Sequence, residues 1–114
     1  MDAAKLNGLL LDAFPELASA FEEYTSWQDG MDTGCFLTYE DLLLPLATEA
    51  LDAQDAETLK RVGAFVERLM TLGDDYAANV ATVGLLEGLK AHGKDEIRQY
   101  LGTASLAEYD SMTY

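Results

Sequence analysis

Between Asp29 and Glu40 the chain partly matches the twelve-residue loop of a calcium-binding EF-hand. Asp29 stands at the first position, Thr33 at the fifth, Gly34 at the sixth, Phe36 at the eighth and Glu40 at the twelfth. Met31 at the third position offers no oxygen, Leu37 holds the ninth, and no second such loop exists to pair with it, so no metal site is expected. A different chemistry sits on the same residues. Trp27, Phe36 and Tyr39 lie among Asp29, Asp32, Glu40 and Asp41. Aromatic anchors ringed by carboxylates suit a protein-binding site for a basic partner, where rings fill pockets and carboxylates pair with Arg and Lys. Trp27 and Phe36 could instead plug the end of the core, which leaves Tyr39 and the carboxylates as the better contact candidates. Glu22 and Glu23, pointing away from the apolar side of the preceding helix, extend the set. The partner-binding candidates are therefore Glu22, Glu23, Trp27, Asp29, Asp32, Tyr39, Glu40 and Asp41.

Little else in the chain points to catalysis. The 21 acidic residues can be paired in so many ways that their number is no sign of acid–base work. No Gly-rich phosphate loop, no Ser-centred nucleophile elbow and no His-x-x-x-His pair is present. One cysteine and one histidine exclude an intramolecular disulfide and a Cys/His zinc cluster. Cys35 falls in the loop without a basic neighbour to lower its pKa, and His92 stands where a helix C-terminus would favour it. A protein without enzymatic activity or cofactor is expected.

Charge is distributed unevenly along the 114 residues. The formal net charge is −14; residues 1–59 carry −12, with Lys5 as their one cation, and residues 60–114 carry −2. From Leu6 to Leu59 there is no Lys or Arg. Such a one-signed field repels nucleic acid and anionic lipid and speeds encounter with a basic partner. Near the apolar segments, the longest stretch without a charge, Tyr76–Leu86, has 11 residues, against the ~20 a membrane span needs. The N-terminus lacks the basic and apolar regions of a secretory signal, which makes cytoplasmic residence the default.

The elements that must position these residues read as helices. Leu6, Leu9, Leu10, Ala13 and Phe14 repeat at helical spacing over residues 2–13, with Asp2 placed to cap. Pro15 ends that helix and starts the next, whose apolar side is Leu17, Phe21 and Tyr24. Residues 28–35 form the clearest loop. Thr38 is placed to cap a third helix, in which Pro45 requires a break or a kink. Asp55 caps a fourth, with a stripe of Leu59, Val62, Val66, Leu69 and Leu72, and Gly73 stops it. A fifth helix spans about 75–91, where Ala77, Ala78, Ala81 and Gly84 permit close approach. A sixth spans about 94–101, and Ser105 introduces at most a short terminal turn. With hydrophobic residues at 49% and no alternating β-branched run, the expectation is one all-α domain over 1–114. Five to six helices would pack as an antiparallel bundle or a short repeat-like stack.

Phe14-Pro15-Glu16-Leu17, the helix around Leu42–Leu51, Leu86-Glu87-Gly88-Leu89 and Tyr100-Leu101-Gly102 together resemble a family of small, acidic, helical bacterial proteins. That family is similar to immunity proteins encoded beside secreted polymorphic or contact-dependent toxins. The likeness spans roughly residues 6–102 and carries no catalytic residue across. It implies a protein that binds a cognate toxin effector domain with a basic surface and covers its active site or substrate cleft. The alternatives are an acidic nucleic-acid mimic that inhibits a nucleic-acid-binding protein and, behind it, a calcium-dependent helical regulator. Neither direct nucleic-acid binding nor a membrane partner is expected, and the oligomeric state is left open.

Overall fold

Asp2 accepts the Lys5 backbone N–H at 2.9 Å, and helix α1 runs from Ala3 to Ala13. The computed structural model describes residues 1–112 of the chain. Leu6, Leu10 and Phe14 are fully buried along the expected face of α1. Pro15 opens a 3-10 turn, Pro15–Leu17, which leads into α2, Ala18–Thr25. A second 3-10 turn, Gly30–Asp32, is tied to α1 by Asn7. Its buried amide donates to the Met31 and Thr33 carbonyls at 2.8 and 2.9 Å.

The third helical segment starts three residues before the expected cap. Helix α3, Cys35–Thr38, follows Gly34, and Thr38 is buried inside it with its hydroxyl donating to the Gly34 carbonyl at 2.7 Å. A Ser or Thr hydroxyl can turn back on the preceding turn in this way instead of capping. Cys35 is accordingly a buried helical residue and not part of the loop. Pro45 falls in the first turn of a new α-helical segment, where its missing N–H is tolerated. A π-turn, Tyr39–Leu43, closed by the Leu44 N–H on the Tyr39 carbonyl, feeds directly into α4, Leu44–Asp52. The wider turn puts an extra residue ahead of the proline, where its ring and missing N–H would otherwise conflict with a regular helix.

Asp55 caps α5, Ala56–Thr71, by accepting the Thr58 N–H. Four members of its expected stripe are buried, whereas Leu72 is exposed and Phe65 takes a core place. Gly73 follows with φ +77°, the left-handed geometry that suits glycine at a helix end. Asp74 caps α6, Asp75–Ala81, which continues through a π-turn, Thr82–Leu86, into α7, Glu87–Ala91. His92 stands at the C-terminal cap of α7. The expected sixth helix is a 3-10 segment, Asp95–Tyr100, and the expected short terminal turn is a helix, α8, Thr103–Ser111. Ser105 does not cap α8. The Glu67 carboxylate reaches over from α5 and accepts from the Ala104 and Ser105 N–H groups and the Ser105 hydroxyl.

Helix α5 runs through the middle of the bundle, against α4, α6, α8 and the Asp95–Tyr100 segment. Gly63 makes the last of these contacts possible, because a Cβ there would lie 1.9 Å from the Tyr100 carbonyl oxygen. No strand occurs among the described residues. The Cα radius of gyration, 13.1 Å, is that of a compact domain of this length. The molecule is a single-domain helical bundle, not an extended stack.

Candidate functional site

Tyr39 is the partner-binding candidate that the structure removes. It is fully buried, its hydroxyl donates to the Leu6 carbonyl at 2.8 Å, and its ring stacks on Phe65 at 6.1 Å. Gly84 in the facing π-turn admits it, since a Cβ there would come within 2.9 Å of the Tyr39 Cβ. Burial raises the Tyr39 pKa well above the ordinary phenol value. Tyr39 does adjoin acidic residues in sequence, but it shares the buried face of α3 with Cys35 and Thr38, while Glu40 and Asp41 remain outside.

Trp27 goes the other way. It is 80% exposed, so it does not plug the core, and Phe36 is 37% exposed with its ring edge-on to Tyr76 at 5.8 Å. Just beyond α2, Trp27 completes an i, i+3, i+4, i+7 face with Ala20, Glu23 and Tyr24. This face meets Leu42 of the first π-turn, and the five residues line an open cleft of about 350 Å³. The Tyr24 hydroxyl donates to Asp41 Oδ2 at 2.6 Å and so ties α2 to the π-turn. Burial first, then this bond and the negative charges of Asp41 and Glu40, push the Tyr24 pKa up to about 12.

Glu22, Asp29, Asp32 and Glu40 are exposed, yet none of them lines the cleft. Of the sequence candidates, Glu23 and Trp27 line it and Asp41 joins at its edge through Tyr24. By its spacing Tyr24 belongs to the apolar side of its helix, with Leu17 and Phe21. The helical spacing from Ala20 to Trp27 was the available signal for Tyr24, whereas Leu42 meets that face only across the fold.

The EF-hand match does not form a loop. Helix α3 stands between Asp29 and Glu40, and the backbone carbonyls of Met31 and Thr33 are engaged by Asn7. Among the described residues no group of three or more His, Cys, Asp or Glu side chains is arranged to hold a metal ion. Cys35 Sγ lies 3.4 Å from the Ala3 carbonyl and 3.3 Å from Asn7 Oδ1, and burial pushes the thiol pKa up, away from the reactive thiolate.

Folding also redistributes the charge asymmetry. Arg61 forms a two-pronged ion pair with Glu16, at 2.6 and 2.8 Å, and Lys94 pairs with Asp52 at 3.2 Å. Cations of the C-terminal half thus neutralise two acids of the N-terminal half, and neither of those acids borders the Trp27 cleft. A larger groove, about 600 Å³, runs over α5 beneath Tyr100 and Leu101. Lys60 and Gln99 line it beside Ala56, Gly63 and Ala64, and its carboxylate, Glu67, already caps α8. No helix among the described residues is long and apolar enough to cross a membrane.

Residues 7–114 match the family model DUF7674, a domain of unknown function, and the chain belongs to that family. No curated protein and no solved structure matches it.

Proposed function

We propose that this member of the DUF7674 family is a non-enzymatic, cytoplasmic inhibitor of immunity type, which binds a cognate toxin effector domain and covers its active site or substrate cleft. The observation that carries the reading is Trp27, 80% exposed beside Glu23 and the Tyr24–Asp41 pair. Trp is among the residue types enriched at binding hot spots, and here its ring stands in solvent beside a tyrosine and carboxylates. The surrounding acids favour a partner with a basic surface, since complementary charge speeds encounter and fixes orientation. The resemblance to toxin-associated immunity proteins supports the role class.

The test is co-expression with the protein encoded by the adjoining gene. Growth arrest by that protein alone, relieved by this chain and not by the Trp27→Ala variant, is the expected result. A harmless neighbour, or arrest that persists despite co-expression, removes the immunity reading. Binding to several unrelated nucleic-acid-binding proteins would favour the nucleic-acid mimic instead.

A further inference from the structure

The cleft beside Trp27 is more specific than a general acidic docking face requires. Its volume, about 350 Å³, lies at the low end of the ~300–1,000 Å³ range of ligand sites, roomy for one long side chain and too small for a helix. Ala20 and Leu42 supply aliphatic walls, Tyr24 and Trp27 supply rings, and Glu23 supplies a carboxylate. Asp41 fixes the Tyr24 ring through its hydroxyl and adds negative charge at the edge.

The fold already holds an arginine with these components. The Arg61 guanidinium lies 5.0 Å from the centre of the Phe14 ring while it binds Glu16 through two nitrogens. The Trp27 cleft is lined by the same two kinds of residue, aromatic and acidic, on a segment with no Lys or Arg of its own between Leu6 and Leu59. We infer that the cleft receives one arginine side chain from the partner, its methylene stem along Ala20 and Leu42, its guanidinium against Trp27 and hydrogen-bonded to Glu23. An arginine fits better than a lysine because the planar guanidinium is weakly hydrated, stacks on rings and offers forked donors. An uncharged aliphatic side chain would desolvate Glu23 with nothing in return. This inference deepens the proposed function and rests on it for the existence of the partner.

The experiment follows the indole N–H of the single tryptophan by NMR in the intact chain. The probes are N-acetyl-arginine N-methylamide and its lysine and norleucine counterparts, at constant ionic strength. A saturable shift is expected with the arginine probe, about fivefold weaker binding with the lysine probe, and no saturation with norleucine. Glu23→Gln, an exposed and conservative change, should weaken the arginine probe about tenfold. Equal binding of norleucine, an arginine response unaltered by Glu23→Gln, or no arginine saturation overturns the assignment. Protection of cells without arginine saturation removes the pocket and leaves the partner reading standing, whereas saturation without protection does the reverse.

Discussion

Exchanging the roles of two aromatic residues makes the sharpest test of the site. Trp27 is 80% exposed, so about one fifth of its area, roughly 50 Å² of an indole that can bury up to ~250 Å², is shielded by the fold. At ~25 cal/mol per Å², Trp27→Ala costs about 1 kcal/mol of stability at most. In the complex the same truncation should raise Kd about 30-fold, the ~2 kcal/mol expected of a hot-spot residue. Tyr39 should show the opposite pattern. Tyr39→Phe deletes a buried hydrogen bond to the Leu6 carbonyl and should cost about 1–1.5 kcal/mol of stability, while Tyr39→Ala leaves a cavity and should cost about 4 kcal/mol. The partner's affinity for folded Tyr39→Phe should not change. Urea unfolding followed by circular dichroism gives the stabilities, and calorimetric titration with the partner domain gives the affinities. A loss of 3 kcal/mol or more in Trp27→Ala, or a Tyr39→Phe variant as stable as wild type with weakened binding, would refute the assignment.

Two further outcomes probe the scaffold. Gly63→Ala gains about 1 kcal/mol of helix propensity but drives a Cβ to 1.9 Å from the Tyr100 backbone oxygen; a net loss of about 2–3 kcal/mol, read as a melting point lower by ~10 °C, is expected. Gly88→Ala meets only the flexible end of Leu44 and should stay within about 1 kcal/mol of wild type in the same melts. The N–H groups and hydroxyl that Glu67 accepts, foremost the Ser105 N–H, hold its carboxyl below the usual range. Its stabilisation of α8 should therefore be complete above pH ~4.5 and be lost as pH falls through the lowered value. Unfolding free energies from urea titrations of wild type and Glu67→Gln should differ by about 1 kcal/mol at pH 7 and converge as the pH falls through the lowered value.

Local chemistry made much of the helical framework legible. Asp2, Asp55 and Asp74 are caps that act on N–H groups three residues away, and Gly73 and Gly93 adopt positive φ where a helix must stop, so both kinds of signal lie within a few residues of their effect. The apolar spacing of α1 and α5 likewise selects their buried faces. The same logic failed where the determining partner was distant in sequence. Nothing near Ser105 announces that Glu67, 38 residues earlier, will cap α8, and a nine-residue helix was read as a turn. Pro45 announced a departure from a regular helix, but not that it would take the form of a π-turn, nor that Gly84, 45 residues after Tyr39, would leave room for the Tyr39 side chain.

By itself the sequence determined an all-helical chain, an N-terminal half almost without cations, and an aromatic-acidic segment around residues 27–41, because composition and spacing are properties of the chain alone. Tertiary structure decided which of those aromatic residues face solvent. Tyr39 continues the buried face of α3, four residues after Cys35 and one after Thr38, and enters the core on Phe65, while Asp41 and Leu42 in the π-turn that follows lie beside α2. Trp27, one residue beyond the C-terminal cap of α2, has no facing helix to cover it and stands at the mouth of the cleft. Packing reversed the order the sequence suggested, burying Tyr39, the preferred contact candidate, and leaving Trp27, the possible core plug, in solvent.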